Sequence, residues 1–102
     1  MIEGIRRKIE RREYEYSLHA TDQSILRRIA RSEVEEAIEH GAVIEDYPSD
    51  KYGPSCLVFG YTNSGRPLHV HCTHPVRVRL KIITVYEPHP DEWVEFKQRS
   101  ER

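Results

Sequence analysis

The stretch PLHVHCT at positions 67–73, followed by VRLKIITVY at 78–86, decides the predicted fold. Both segments alternate apolar with polar or charged residues, which is typical of β-strands that bury one face. The short connection His74-Pro75-Val76 predicts that the two strands pair in antiparallel orientation. These segments therefore predict an antiparallel sheet with one apolar face and one face of His, Arg and Lys.

The rest of the chain predicts helices before the sheet and two more strands within it. The predicted elements are a helix at 2–12, an extended segment or short strand at 14–18, helices at 19–30 and 32–40, strands at 43–47, 55–61, 67–73 and 78–86, a polar loop at 48–54, and a last short helix at 91–98. This order predicts an α+β fold, with N-terminal helices packed on one face of a four-stranded antiparallel sheet and a short C-terminal helix. The length of 102 residues predicts a single domain at 1–102, with its core at about 14–93 and a basic N-terminal helix at 2–12.

Local signals support the helices. Ser32 has Glu35 three residues later, which is the spacing of a capping box at a helix N-terminus. Trp93 and Phe96 are expected to hold the last helix against the body of the domain. The apolar stripe predicted for the helix at 19–30 consists of Ala20, Ile25, Leu26 and Ile29.

Charge is distributed unevenly along the chain. There are 16 basic and 17 acidic residues, giving a net charge of −1. Positions 33–50 contain acids and no Lys or Arg, whereas 66–86 contains basic residues and no acid. A basic face suits nucleic acid even in a protein that is not basic overall. The alternative is that the segregated charges pair with each other across the surface.

Composition also bears on location. No apolar run reaches the roughly 20 residues of a membrane span, and the N-terminus lacks the apolar stretch of a signal peptide. We therefore expect a cytoplasmic protein without membrane association. Cys56 and Cys72 are predicted to be buried or half-buried free thiols, because disulfides are rare in that compartment.

Strand alternation predicts which side chains share the face away from the helices. Leu68, Val70, Cys72, Val78, Leu80 and Ile82 are expected to face the helices. The opposite, open face is then expected to carry His69, His71, Arg77, Arg79 and Lys81. Ile83 and Val85 fall on that basic side by the same alternation, so one end of it is expected to be covered. A single β-bulge would change this assignment.

A face of this composition suits RNA, because cations bind phosphates while His and Tyr stack on unpaired bases. Metal-independent cleavage needs a base for the ribose 2′-hydroxyl, a cation for the phosphorane and an acid for the leaving oxygen. The predicted catalytic set is His19, His69, His71, Arg79 and Lys81, and the predicted substrate-binding set is Arg27, Arg28, Arg66, Arg77 and Tyr86. His69 and His71 are the predicted acid and base, and His19 is either catalytic or a helix-capping residue. The alternative is that these residues are simply the solvent side of a sheet.

A metal site is a further alternative. His69 and His71, two residues apart on one strand, could ligate one zinc ion. A third ligand would have to come from His74, Cys72 or His19, and no Cys-x-x-Cys or His-Glu-x-x-His motif is present. No metal and no other cofactor is therefore assigned in the leading interpretation.

Several motifs together resemble the bacterial family of domains of unknown function numbered 4258. They are Ser17-Leu18-His19-Ala20, Arg27-Arg28-Ile29, the segment 33–38, the segment 65–70 and the segment 82–88. The resemblance covers about 14–93, and His19, Arg27 and His69 stand at positions that match the family pattern. The family often has Arg four residues after the first histidine, whereas this chain has Gln23.

The resemblance implies similarity to RelE-like toxin ribonucleases, with a RelE-like or barnase-like fold. It implies an RNA endonuclease that is restrained by an antitoxin-type partner, here a small zinc-finger protein. Our leading hypothesis is accordingly a toxin-like RNA endonuclease or RNA-binding protein of the cytoplasm that works without a cofactor. The rival is a non-catalytic interaction domain whose basic sheet face docks an acidic partner protein.

Overall fold

The structure, a computed structural model, describes residues 1–51 and 53–100. Tyr52, within the predicted loop at 48–54, and residues 101–102 of the predicted domain lie outside the described residues. The described elements are α1 (Ile2–Glu10), β1 (Tyr14–Tyr16), α2 (Leu18–Leu26), α3 (Arg31–Glu39), β2 (Ala42–Tyr47), β3 (Ser55–Tyr61), β4 (Pro67–Thr73), β5 (Leu80–Tyr86), β6 (Trp93–Val94) and β7 (Gln98–Arg99). No helix in this part of the chain is long and apolar enough to cross a membrane.

The main sheet corrects the predicted architecture. Within the described residues it has five strands in the order β1-β5-β4-β3-β2, and β1 pairs in parallel with β5. The prediction of a four-stranded antiparallel sheet is therefore wrong, although β2 to β5 do pair as antiparallel neighbours. The additional strand, β1, lies within the segment at 14–18 that the sequence predicts to be extended or a short strand. Its partner β5 lies more than 60 positions further along the chain, so the local pattern does not place β1 in the sheet.

The helices and the sheet share one core. Alternate side chains of the strands, including Val58, Val70 and Ile82, are fully buried against residues of all three described helices. Gly60 allows α3 to lie directly on β3, since a Cβ at this position would stand 1.8 Å from the carbonyl oxygen of Ala37. The helices therefore leave the opposite sheet face to the loops and the C-terminal segment.

The boundaries of α2 and α3 differ from the predicted ones. Helix α2 begins after Ser17, whose hydroxyl oxygen accepts from the Ala20 amide at 2.9 Å. Helix α3 begins at Arg31 rather than after Ser32, and the Glu33 carboxylate accepts from the Ala30 amide at 2.9 Å. The predicted capping box at Ser32 is wrong because the glutamate that closes the first turn stands two positions earlier.

The predicted apolar stripe of α2 is only half buried. Ala20 and Ile29 are buried in the core, whereas Ile25 and Leu26 are 72% and 75% exposed. Helix α2 ends at Leu26, and Arg28 takes a positive φ of 54°, so the chain turns before Ile29 enters the core. Ile25 and Leu26 thus face away from the sheet.

A β-bulge in β5 changes its alternation. His71 pairs with Thr84 while the next residue, Cys72, pairs with Ile82, so Ile83 is the extra residue. After the bulge Val85 points into the core and is fully buried, contrary to its predicted place on the basic side. The same shift aligns Tyr86 with His69 on the opposite face.

The C-terminal segment forms a small antiparallel sheet, β6 with β7, and the predicted helix at 91–98 is wrong. Trp93 is 5% exposed, and the ring of Phe96 contacts Phe59 with 6.1 Å between centroids. The expected clamp by Trp93 and Phe96 is therefore present, but a β-hairpin carries it. We call residues 93–99 the strap.

Candidate functional site

The sheet face away from the helices has two halves. The strap covers the half around His69, and an open groove occupies the half around His71. The groove has a volume of about 540 Å³ and is lined by Ser17, Asp50, His71, Thr73, Arg77, Lys81 and Ile83. The tertiary structure thus brings three members of the predicted site, His71, Arg77 and Lys81, into one depression.

His71 is held by a chain of polar contacts at the wall of the groove. Its Nε2 atom lies 2.9 Å from the hydroxyl oxygen of Ser55, and that hydroxyl donates to the Asp50 carboxylate at 2.6 Å. Because the Ser55 hydrogen is directed to Asp50, Nε2 carries a hydrogen and donates to Ser55. The lone pair of a neutral His71 then lies on Nδ1, for which the described residues provide no hydrogen-bond partner.

The environment keeps His71 neutral near pH 7. Burial lowers the pKa of His71, and the nearby Asp50 carboxylate, 3.8 Å from Nε2, only partly opposes this. Tyr47 packs edge-on against the imidazole, with 5.5 Å between ring centroids. A neutral, oriented imidazole beside a groove has the properties of a general base.

His69 is not part of the groove. It is fully buried beneath the strap, where Nε2 donates to the carbonyl oxygen of Phe96 at 2.6 Å and Nδ1 accepts from the Tyr86 hydroxyl at 3.1 Å. Burial lowers the pKa of His69. The prediction that His69 shares an open face with His71 is wrong, because the strap covers the space above it.

Comparison with known proteins identifies the family. The family model described as Domain of unknown function (DUF4258) matches residues 16–87. The chain belongs to this family. No curated protein and no solved structure matches the chain, so the similarity to RelE-like and barnase-like ribonucleases stays a prediction.

The family model of this DUF4258 chain matches the whole groove but not the strap. All residues that line the groove lie within 16–87, whereas the strap at 93–99 follows the matched region. The groove is therefore built from the family domain itself. The cover over His69 is built from the segment that comes after it.

Arg66 and Arg27, both predicted to bind substrate, make contacts within the fold. Arg66 bonds to Glu33 and Glu87 at 3.2 and 2.8 Å, and it also donates to the carbonyl oxygens of Arg27 and Arg28. Arg27 donates to the carbonyl oxygen of Val85 at 2.8 Å and lies over the Tyr86 ring. Arg66 thus ties the turn after α2 to the ends of β4 and β5.

Arg79, Arg28 and His19 lie outside the groove lining. Arg79 donates to the carbonyl oxygen of Tyr14 at 3.0 Å and lies 3.9 Å from Glu15, so it braces β1. Arg28 is exposed in the turn after α2, and His19 is exposed in the first turn of that helix. The predicted catalytic residues His19, His69 and Arg79 therefore do not line the groove with His71.

Sequence reasoning missed Asp50, Ser55 and Ser17. Ser55 is fully buried at the start of β3, and Asp50 approaches it from the preceding loop. The sequence contained one usable signal, the four-residue gap between a loop acid and a strand serine. The register of β3 against β4 could not be read from it.

The structure also bears on metal and thiol chemistry. Within residues 1–51 and 53–100, no group of three or more His, Cys, Asp or Glu side chains is arranged to hold a metal ion. Cys56 and Cys72 are buried, free thiols, as predicted. Their sulfur atoms lie 4.0 Å apart on neighbouring strands.

Proposed function

We propose that the groove binds RNA and that His71 is the general base of a metal-independent RNA endonuclease. The observation that carries the proposal is the meeting of a neutral, oriented imidazole with two cationic side chains, Arg77 and Lys81, in one groove. Cations of this kind hold phosphates and stabilise the charge of a phosphorane. Ile83 adds an apolar wall against which a base or ribose can pack.

The proposed reaction is an attack by the ribose 2′-oxygen on the adjacent phosphate. Nδ1 of His71 accepts the 2′-hydroxyl proton, and the 2′-oxygen forms a bond to phosphorus as the bond to the 5′-oxygen breaks. Lys81 donates a proton to the leaving 5′-oxygen, so the products are a 2′,3′-cyclic phosphate and a 5′-hydroxyl. Asp50 and Ser55 are positioning residues, because they orient the imidazole through Nε2.

His71→Ala tests this proposal. We expect cleavage of single-stranded RNA to fall about 100-fold or more, since general base catalysis contributes at least that much. His40→Ala, at the exposed end of α3, is the matched control and should cleave at the wild-type rate. An unchanged rate in a folded His71→Ala protein would show that His71 is not the base.

The proposal extends to the biological role inferred from the family resemblance. In that role the protein is a cytoplasmic toxin restrained by a zinc-finger antitoxin encoded beside it. Expression of the wild-type chain alone should arrest growth, while coexpression of the neighbouring gene or substitution of His71 should relieve the arrest. If wild type and His71→Ala arrest growth equally, the toxicity does not depend on cleavage by His71.

A second candidate function is the docking of a partner protein on α2, rather than of an acidic partner on the basic sheet face. Leu18, Ile25 and Leu26 on α2 are 86%, 72% and 75% exposed, and Arg28 is exposed beside them. Large apolar side chains exposed together are typical of protein contacts. Leu26→Ser should weaken a complex with the neighbouring gene product while leaving RNA cleavage by the isolated chain unchanged.

A further inference from the structure

A row of aromatic rings crosses the sheet beneath the strap. Phe59 on β3, His69 on β4 and Tyr86 on β5 are direct partners in the strand register. Their ring centroids lie 5.7 and 5.2 Å apart along the row. Tyr61 continues the row from Phe59 at 5.2 Å, and it is 47% exposed beyond the edge of the strap. We call these four residues the aromatic row.

The strap covers the row through a small number of contacts. The Trp93 ring packs edge-on against His69 with 4.4 Å between centroids, and the Phe96 carbonyl accepts from His69. Arg99 holds the end of the strap by two bonds to Glu45, at 2.9 and 3.1 Å, and it lies over the Trp93 ring. Since the Arg99 side chain is 65% exposed, this attachment is open to solvent.

The turn of the strap is strained. Glu95 and Phe96 have positive φ values of 52° and 63°, and the Lys97 amide closes the turn on the carbonyl oxygen of Val94. A turn with two positive φ values normally contains Asn and Gly, because other residues suffer a steric clash there. The strap is therefore closed in a conformation that its own sequence disfavours.

We propose that the aromatic row is a stacking site for unpaired nucleobases and that RNA displaces the strap to reach it. The inference rests on the proposed function, because RNA in the groove brings its neighbouring bases to the row. His69 and His71 lie two residues apart on the same face of β4, a distance of roughly 7 Å. Stacking on flat side chains is how proteins bind single strands without reading their sequence.

The open end of the row favours this ligand over a protein segment. Tyr61 lines a depression of about 370 Å³ together with Glu95, Phe96 and Lys97 at the turn of the strap. A base can enter there, stack on Tyr61 and lift the strained turn before the rest of the row is uncovered. Lys97 stands at this entrance as a cation for the adjoining phosphate.

The test uses the full chain and a single-stranded 2′-O-methyl RNA of about eight nucleotides. This RNA has no hydroxyl for cleavage, so binding is measured separately from the proposed reaction. Arg99→Ala removes the attachment to Glu45, and Glu95→Gly relieves the strain of the closed turn. Arg11→Ala is the matched control, since it also removes one positive charge but lies exposed at the end of α1, away from the strap.

We expect Arg99→Ala to bind the RNA about 3- to 10-fold tighter, because a larger fraction of the protein is open before binding. Glu95→Gly should bind a few-fold more weakly, since its closed state is more stable. Ordinary phosphate attraction predicts the opposite result for Arg99→Ala, which loses a positive charge. Weaker or unchanged binding by Arg99→Ala would overturn the proposal.

Trp93 reports the position of the strap directly, because it is the only tryptophan of the chain. Acrylamide should quench its fluorescence weakly in the free protein and strongly in Arg99→Ala or after RNA is added. If RNA binds without increasing this quenching, the strap stays closed and the proposal is wrong. If quenching and affinity follow the strap variants while ordinary RNA stays uncut, the stacking site stands and the endonuclease proposal fails.

Discussion

At the scale of single residues, burial separates side chains that the sequence makes equivalent. His69 and His71 lie on the same face of β4, yet His69 is sealed beneath the strap and His71 borders the groove. Arg66 and Lys81 likewise look alike as cations beside strands. Arg66 is occupied by Glu33 and Glu87, while Lys81 lines the groove. The contacts that each side chain already makes decide whether it is available to a ligand.

The two histidines predict a dependence of stability on pH. Burial lowers the pKa of both His69 and His71 below the ordinary value of 6.5, so below pH 6.5 the unfolded chain binds more protons than the folded chain. The contribution of the two histidines to the free energy of unfolding should be fully present above pH 6.5. It should fall as the pH drops through 6.5 toward the folded pKa values.

Urea unfolding between pH 7.5 and 5.5 measures this effect. His71→Gln removes one of the two groups and should make the dependence shallower, whereas His40→Gln changes an exposed histidine and serves as control. Glu45 contributes at lower pH, because burial raises its pKa but hydrogen bonds from Arg99 and Tyr47 lower it overall. A slope that is the same in His71→Gln and wild type would contradict the assignment.

At the scale of elements, local irregularities of the chain determine which side chains of the helices and strands are buried in the core. Gly60 brings α3 onto β3, and the positive φ at Arg28 turns the chain so that Ile29 enters the core while Ile25 and Leu26 remain outside. The bulge at Ile83 similarly returns Val85 to the core. Each of these features changes which face a regular pattern presents.

Gly60→Ala tests the contact between α3 and β3. The added Cβ would stand 1.8 Å from the Ala37 carbonyl oxygen, so the helix must move, and we expect a loss of about 3 kcal/mol in the free energy of unfolding. Gly65→Ala is the control, because a Cβ there meets no atom within 4 Å and only the positive φ of 88° is unfavourable. Its cost should be about 1 kcal/mol. Equal losses of unfolding free energy in the two variants would contradict the close contact between α3 and β3 at Gly60.

At the scale of the whole molecule, the groove is a limited basic area on a chain with net charge −1. Much of the remaining basic surface is engaged within the fold, as with Arg66, Arg79 and Arg99. RNA bound in the groove is therefore expected to neutralise few phosphates. This limited contact should appear in the salt dependence of binding.

The logarithm of the association constant for single-stranded RNA should fall with the logarithm of salt concentration with a slope of about −2, from Arg77, Lys81 and Lys97 at roughly −0.7 each. Arg77→Ala should reduce the magnitude of that slope by about 0.7, whereas Arg11→Ala on the exposed end of α1 should not change it. A slope of about −4 or steeper would place the RNA on a larger surface than the groove.

The sequence alone determined the α+β class, four of the strands and the separation of apolar from basic positions in β4. These follow from local periodicity, which a single strand or helix expresses without reference to its neighbours. It also predicted that His71 and Lys81 share one face, because alternation holds from Leu80 to the bulge. It did not predict that β5 begins only at Leu80, so Arg77 reaches the groove from the preceding bend, and Val78, which was predicted to face the helices, is exposed.

Only the tertiary structure decided the parallel pairing of β1, the placement of Asp50 and Ser55 beside His71, and the burial of His69 under the strap. Each depends on segments far apart in the chain or on an irregularity such as the bulge at Ile83. Local patterns specify which face a side chain takes. They do not specify what the rest of the chain places above that face, and this decides that the open site is centred on His71 and not on His69.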